Sequence, residues 1–257
     1  MNGRAQYIAF RAILIKEVLR FTRIWIQTIL PPMITTTLYF VIFGRLIGSQ
    51  VGDVHGFGYM EYIVPGLILM TVITNSFANV VSSFYGAKFQ HNIEEMLVAP
   101  VPNYLILLGF IGGGLARGLA VGLAVTIVAL FFTPIPLHNL WVAVSVLMLT
   151  SILFSLAGII NGIYAKSFDD ISVIPTFVLT PLTYLGGVFY SVSMLPPVWQ
   201  AISLANPILY MVNAFRYGLL GVSDVNLGVA YLAILGFIAG LFGFALHLLN
   251  RGYGIRS

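Results

Sequence analysis

Cysteine is absent from this sequence, and charged residues are scarce. None of the 257 residues is cysteine, which excludes disulfide bonds and thiolate metal sites. Asp, Glu, Lys and Arg make up 8% of the chain, whereas a soluble domain carries about a quarter. Because 59% of the residues are hydrophobic, a water-exposed surface cannot be built from this composition. The sequence therefore predicts an all-α polytopic protein of a phospholipid bilayer.

Several functional motifs are also missing. The sequence contains no GxxxxGK[ST] phosphate loop, so we expect no nucleotide hydrolysis on this chain. It has no basic patch with interleaved aromatic residues, which argues against nucleic acid as a partner. The four histidines are scattered without metal-ligand spacing, and we predict no metal site.

Long apolar segments are plentiful. A lipid core of about 30 Å needs roughly 20 apolar residues of helix. Six segments qualify, at about 26–47, 61–85, 106–132, 140–163, 172–190 and 227–249. A further apolar stretch, 196–220, is interrupted in its middle by an Asn-Pro pair.

Positive charge predicts the orientation of these spans. With six spans and a cytoplasmic N-terminus, most of the twelve lysines and arginines lie inside, as the positive-inside rule requires. If 196–220 also crossed the membrane, the tail 251–257 would move outside with its arginines. We therefore predict a re-entrant helical hairpin at 196–220, dipping into the outer leaflet. Its defining residues are Pro196, Asn206, Pro207 and Arg216.

Residues 1–25 are predicted to form a cytoplasmic amphipathic helix in the headgroup plane. On a helical projection, one arc holds polar residues and the other is mostly apolar. The polar arc contains Gln6, Lys16, Glu17, Arg20 and Arg23. A plain polar cap on the first span is the alternative interpretation.

The loop FQHNIEEMLVAPVPNY, between the second and third spans, predicts a short cytoplasmic helix over 92–100. Asn92 with Glu95 matches a capping box, and Pro100 ends the helix. Ile93, Met96 and Leu97 share one face, while Glu94 adds a second carboxylate. A helix this short needs a packing partner. We expect a protein with a basic rim, although the loop could instead fold onto the membrane surface.

Four quoted stretches resemble the ABC-2 permeases, the membrane subunits of ATP-binding-cassette exporters with the type V, G-subfamily-like fold. The stretches are IEEMLVAPVP (93–102), KSFDDIS (166–172), TPLTYLGGVFYS (180–191) and LPPVWQAISLANPILYMVNAFRYGLLG (195–221). The similarity extends over the whole chain, which corresponds to a transmembrane domain at 26–250. It implies a multi-pass protein of the inner membrane. It also implies a homodimer of permeases bound to two copies of an ATPase subunit, which holds the ATP and Mg.

Polar residues within the spans mark candidate cavity-lining positions. The second span carries Thr71, Asn75 and Asn79 on one stripe, and the fifth carries Thr176, Thr180, Thr183 and Tyr184. The resemblance implies that these two spans line a central cavity at the dimer axis. Hydrogen bonding between helices is an equally good interpretation. Aromatic residues nearby would suit an amphipathic, lipid-like or glycan-type passenger.

Arg117 lies within the third span, where a charge requires a partner or water. A carbonyl near a kinked helix or an acidic group of another span could serve, and the nearest acidic groups by depth are Glu94, Asp169 and Asp170. We interpret Arg117 as a structural charge in preference to a cargo-binding one.

The residues and the resemblance together predict a transport permease without its own nucleotide-binding site, driven through the 92–100 helix. The alternative is a secondary transporter driven by an ion gradient, which would use buried acidic residues within spans. An intramembrane hydrolase would need a serine nucleophile with a matching histidine, and no GxSxG surrounds any serine.

Overall fold

The computed structural model describes residues 2–254, and most of them are helical. The α-helices are α1 (Gly3–Arg23), α2 (Trp25–Tyr39), α3 (Gly48–Val51), α4 (Tyr59–Phe89), α5 (Asn92–Val98), α6 (Asn103–Leu130), α7 (Leu140–Tyr164), α8 (Asp170–Ile174), α9 (Thr180–Tyr184), α10 (Pro197–Leu204), α11 (Pro207–Leu220) and α12 (Leu227–Arg251). Two π-helical segments, Phe40–Ile47 and Pro175–Leu179, and a 3₁₀ turn at Val192–Met194 complete the helical structure. A two-residue antiparallel hairpin, β1 (Asp53–Val54) with β2 (Phe57–Gly58), precedes α4. Residues 255–257 of the predicted tail lie outside the described residues.

Five helices are long and apolar enough to cross a membrane. They are Trp25–Gly44, Tyr59–Phe89, Asn103–Leu130, Leu140–Tyr164 and Leu227–Arg251. They coincide with five of the six predicted spans, and the prediction of a helical polytopic membrane protein is confirmed. The two agree because a run of apolar residues without charge has few other ways to satisfy its backbone in lipid.

The remaining predicted span, 172–190, is a shorter and interrupted helix. Helical backbone extends from Asp170 to Tyr184 as α8, a π-helical segment and α9, followed by turns. At 1.5 Å per residue this stretch covers about 22 Å, less than a lipid core of about 30 Å. Pro175 begins the π-helical segment and Pro181 lies in the first turn of α9. Each proline removes a backbone donor.

Helix α4 forms the centre of the molecule. It packs against α6, α7 and α11, and residues around its whole circumference are buried. A helix that is apolar on all sides is stable only when neighbours surround it. α4 therefore connects the two ends of the protein through its core.

Small residues allow the helices around α4 to approach closely. A Cβ at Gly158 of α7 would lie 2.8 Å from the backbone oxygen of Phe77. On α6, Gly114 faces Val80 and Ser155, and Gly118 faces side chains of α4 and α7. Close contact between small residues stabilises helix pairs in lipid through dispersion forces.

The N-terminal helix α1 packs along α6 and differs from the predicted arrangement. A Cβ at Gly113 would lie 2.5 Å from the Cβ of Glu17, so the two helices are in close contact. Glu17 is fully buried, whereas Ile8, Ile15 and Leu19 are exposed. The prediction that Glu17 lies on a polar, exposed face of the helix is therefore wrong. The glycines of α6 leave a groove for its side chain, and hydrogen-bonding partners of its carboxylate lie beside that groove.

Two helices, α10 and α11, occupy the predicted hairpin segment. Asn206 separates them, and its Oδ1 accepts a hydrogen bond from the backbone N–H of Ile208 at 3.0 Å. Its Nδ2 donates to the carbonyl of Leu182 at 2.6 Å. Asn206 thus acts as the N-cap of α11, with Pro207 in the first helical position.

Arg216 anchors α11 in the core. It is fully buried, and its guanidinium lies 4.0 Å from the ring centroid of Tyr62. Nη2 donates to the carbonyl of Gly187 at 2.7 Å, and Nε donates to the carbonyl of Tyr62 at 3.4 Å. Cation–π contact and charged hydrogen bonds together compensate for desolvation. Arg216 therefore joins α11, α4 and the loop after α9.

Arg216→Met is expected to destabilise the protein by about 3 kcal/mol, because two buried carbonyls lose their charged donor. The measurement is thermal unfolding of the purified protein in detergent. Arg251→Met removes an exposed arginine at the end of α12 and is the matched control, with an expected change within about 0.5 kcal/mol. Equal stability of the two variants would contradict the anchoring role.

Candidate functional site

Helix α5 is the short helix predicted in the loop after α4, and it begins differently from the prediction. Its N-cap residue is His91, which has a φ of 60° and makes no side-chain cap. Asn92 is already helical, and its Nδ2 donates to Oε1 of Gln90 at 3.1 Å. The predicted Asn92 capping box is therefore wrong, because a capping residue must lie outside the helix with extended backbone. His91 Nδ1 lies 3.0 Å from Oε1 of Glu94 instead.

The apolar face of α5 points into the protein itself. Ile93 is fully buried, and Met96 and Leu97 are partly buried. They pack on a cluster that includes Phe84 of α4 and Phe110 of α6. The chain itself therefore covers Ile93 and part of Met96 and Leu97, and docking of α5 on a partner protein stays a prediction.

The outward surface of α5 is small and mixed. Val98 is 87% exposed and Phe89, just before the helix, is 62% exposed. Glu95 and Pro100 are exposed beside them, and Glu94 is half-buried. An exposed apolar pair next to a carboxylate is a feature of protein–protein contact surfaces.

The loop between α7 and α8 packs against the end of α4 beside α5. Phe168 makes edge-to-face contacts with Tyr85 and Phe89, at centroid distances of 4.9 and 5.2 Å. Lys88 Nζ donates to the carbonyls of Ile163 and Ala165 at 2.8 and 2.7 Å. We call α5 together with this loop (residues 165–170) the α5 platform. Its two parts are held together by aromatic and charged contacts.

Asp170 closes the second part of the platform. Its Oδ2 accepts hydrogen bonds from the backbone N–H groups of Lys166 and Ser167 at 2.9 and 3.1 Å. The bond from the Lys166 N–H holds the pKa of the Asp170 carboxyl below its ordinary value. The loop therefore keeps its shape at neutral pH, when the carboxylate is ionised.

A second candidate site lies between α2, α4 and α6. It is a cavity of about 330 Å³ whose lining includes Thr36, Thr71, Asn75 and Arg117. Two of the predicted cavity residues, Thr71 and Asn75, are therefore brought together with Arg117. We call it the α2–α4–α6 cavity.

The other predicted cavity residues lie elsewhere. Asn79 is buried, and its Oδ1 accepts from Arg20 of α1 at 2.7 Å. Thr176, Thr180 and Tyr184 are exposed on the 170–184 helix, and Thr183 is buried. Of the polar residues predicted on one stripe of the second span, Thr71 and Asn75 line the cavity and Asn79 contacts α1. Their spacing alone did not indicate this difference.

The partner of Arg117 is Asn75. Nη2 of Arg117 donates to Oδ1 of Asn75 at 3.1 Å. The predicted acidic partners are wrong, because none of them forms an ion pair with Arg117. Glu94 contacts His91, and Asp170 binds backbone groups of its own loop.

Sequence reasoning missed an ion pair in α1 whose carboxylate is buried. Glu17 Oε2 lies 3.4 Å from Nε of Arg20, and Glu17 Oε1 accepts from Ser83 Oγ at 2.7 Å. Arg20 in turn donates to the backbone oxygen and side chain of Asn79. The i,i+3 spacing of Glu17 and Arg20 was the available signal. It indicates a pair but not its burial.

A polar cluster on loops around α11 was also missed. His55 Nε2 lies 3.3 Å from Ser191 Oγ and 3.4 Å from Asp224 Oδ1. Ser191 donates to the same aspartate at 2.8 Å. A catalytic triad would place the acid and the serine on opposite ring nitrogens. Here both contact one nitrogen and the serine is buried, so the cluster ties loops together.

Ile93→Ala is expected to destabilise the protein by about 2–4 kcal/mol, because it leaves a cavity beneath α5. Val98→Ala, on the exposed side of the same helix, is expected to change stability by less than about 0.5 kcal/mol. Thermal unfolding in detergent measures both. A larger loss for Val98→Ala would mean that the helix presents the opposite face to the protein.

Comparison with known proteins gives the family. Residues 8–220 match the model of the family described as ABC-2 type transporter. The chain is 59% identical over 252 residues to the inner membrane transport permease YadH of Escherichia coli strain K12, with 98% of each chain covered. It is 24% identical over 237 residues to nodulation protein J of Rhizobium meliloti strain 1021, covering 92% of this chain and 90% of that protein. The family expected from the residues is confirmed, and the chain belongs to the ABC-2 type transporter family.

Proposed function

We propose that this protein is the membrane-spanning permease subunit of an ATP-binding-cassette exporter of the inner membrane. A homodimer of permeases binds two copies of a separate ATPase, which carries the ATP and Mg. The observation that carries the proposal is the α5 platform, a surface packed on the core that presents a few exposed side chains at the end of the central helix. Family membership and the inner-membrane relative support it.

The platform is suited to transmit force. The apolar face of α5 packs on α4 and α6, so a displacement of α5 moves both helices. α4 spans 31 residues, and at 1.5 Å per residue it is about 46 Å long. Closure of an ATPase dimer beneath the platform would therefore tilt α4 along its length. No flexible joint separates α5 from the core, because Ile93 is fully buried in it.

The passenger is proposed to be amphipathic, lipid-like or glycan-type. Tyr39 lines the α2–α4–α6 cavity, and its ring lies 6.1 Å from that of Phe189. Phe189 stacks on Phe43 and on Tyr184, at 5.0 and 5.6 Å. An aromatic surface next to a polar cavity offers contacts to apolar chains and to sugar rings.

The proposed topology has six crossings with both termini in the cytoplasm. The 170–184 helix and the turns after it form the fifth crossing, and α10 with α11 forms a re-entrant hairpin in the outer leaflet. Asn206 accepts from a backbone N–H at the start of α11, and Arg216 donates to a buried carbonyl. The protein thus satisfies polar groups with which lipid cannot form hydrogen bonds. The exposed apolar face of the 170–184 helix is proposed to meet the second permease.

Charge reversal at Glu95 is expected to weaken binding of the ATPase, because Glu95 is an exposed acidic residue on the outward side of the platform. Co-purification with the ATPase after co-expression is expected to fall about tenfold in Glu95→Arg, the loss typical of one contact-surface charge pair.

The matched control is Asp53→Arg, which reverses an exposed carboxylate in the β1–β2 hairpin at the other end of α4. Its co-purification is expected to equal that of the unaltered protein. Equal recovery of the ATPase with Glu95→Arg and with Asp53→Arg would count against the platform as the binding surface.

Single cysteines test the proposed topology. The chain contains no cysteine, so each introduced thiol is the only one. A thiol at Asn226→Cys, in the loop before α12, is expected to react with a membrane-impermeant maleimide in intact spheroplasts. A thiol at Val98→Cys is expected to react only after permeabilisation. Labelling of the first thiol only after permeabilisation would show that 196–220 crosses the membrane.

A further inference from the structure

The α2–α4–α6 cavity contains a cation without an acidic partner. No carboxylate lies within 4.0 Å of Arg117 among residues 2–254. Its Nη2 is bound by the neutral side chain of Asn75, and its Nε is buried without a hydrogen-bond partner in the described chain. A guanidinium inside a membrane protein normally pairs with an anion or with several carbonyls.

Two other arginines that contact α4, Arg20 and Arg216, have more compensating contacts than Arg117. Arg20 has Glu17 at 3.4 Å and two acceptors on Asn79. Arg216 has two carbonyls and the ring of Tyr62. Nη1 of Arg216 also lacks a hydrogen-bond partner, but Nε, Nη2 and the contact with the ring compensate for it. Among these three arginines, Arg117 therefore has the fewest compensating contacts in the described chain, and its charge is available to a ligand.

Thr36 supplies a second unused donor to the same cavity. Its side chain is fully buried, and its Oγ1 has no hydrogen-bond partner in the part of the chain that the structure describes. Thr71 and Thr74 also line the cavity, but their hydroxyls donate to carbonyls one turn back on α4. A buried hydroxyl without a partner is unfavourable, so Thr36 also calls for a ligand.

The rest of the lining is mixed, with Gln27, Thr28 and Thr35 of α2 beside an apolar patch. Pro31 of α2 with Leu67 and Met70 of α4 lies along the cavity, and Tyr39 lies near the outer end of α2. The volume of about 330 Å³ is within the range of small-molecule sites. One cation, a hydroxyl without a partner and an apolar patch within a mixed wall match an anionic head joined to an apolar tail.

We propose that the α2–α4–α6 cavity binds the carboxylate or phosphate of an anionic amphiphile. Arg117 pairs with the anion, Thr36 donates a hydrogen bond to it, and the tail lies toward Tyr39 and the aromatic rings beyond. Arg117 is then a ligand-binding residue as well as the structural charge that the sequence indicated. That this ligand is the transported passenger rests on the proposed function.

Equilibrium binding of radiolabelled hexadecyl phosphate tests the site directly. The protein is placed in phosphatidylcholine nanodiscs, and the same discs without protein are the background. Saturable binding above that background is expected. Hexadecyl phosphocholine, which has the same tail and no net charge, is expected to compete about tenfold more weakly, because a charged hydrogen bond is worth about 1.5–3 kcal/mol.

Two variants identify the residues that bind the anion. Arg117→Gln is expected to weaken binding about tenfold, and Thr36→Val about fivefold, as for the loss of one charged and one neutral donor. Thr36→Val keeps the side-chain shape and breaks no bond seen in the structure, so it tests the site even if Arg117→Gln folds poorly. Arg23→Gln, at an exposed arginine of α1, is the control and is expected to bind like the unaltered protein.

The alternative results separate the sources of the anion and would overturn the inference. Competition by phosphatidylglycerol as strong as that by hexadecyl phosphate would keep the anion site and assign it to a membrane lipid. Absence of saturable binding, equal binding by Arg117→Gln, or equal competition by inorganic phosphate or hexadecyl phosphocholine would overturn it. The assay contains no ATPase, so loss of ATPase association at the platform would refute the proposed function separately.

Discussion

A charge within a membrane protein needs compensating contacts, and in this chain α4 supplies contacts of this kind to three arginines. Arg20 of α1 donates to Asn79, Arg117 of α6 donates to Asn75, and Arg216 of α11 lies over the ring of Tyr62. All three acceptors belong to α4, at successive levels along its length. Charged contacts thus join three neighbouring helices to α4. Apolar packing in lipid would not by itself fix how these helices are oriented.

The same helix connects the two candidate sites. Its C-terminal end carries Lys88, which donates to carbonyls of the loop after α7, and its neighbour α5 packs directly onto it. Its middle carries Asn75, which positions Arg117 in the cavity. Under the proposed function, a movement of the platform therefore moves α4 and, through Asn75, shifts Arg117 in the cavity. Glycines on α6 and α7 let these helices lie close to α4 with few side chains between them.

The short helix α5 illustrates the limits of local sequence reasoning. Its existence and its apolar face at Ile93, Met96 and Leu97 were predictable from spacing. The direction of that face was not, because spacing shows which residues are together but not what they contact. The capping prediction failed for a related reason, since the left-handed backbone at His91 places Asn92 inside the helix. The 170–184 helix ends before the predicted 190 because turns follow Tyr184 and the backbone of Gly187 is left-handed, with a φ of 72°.

Composition and apolar runs by themselves indicated a helical membrane protein with six spans, and five of these are long apolar helices in the structure. They succeeded that far because lipid leaves an apolar segment few alternatives. They also located Arg117 as a charge in need of a partner. Only the tertiary structure decided that the partner is the amide of Asn75, that Glu17 is buried beside Arg20, and that Thr36 shares a cavity with Arg117. These contacts join helices distant in sequence, and their formation depends on how helices rotate and pack, which no local pattern specifies.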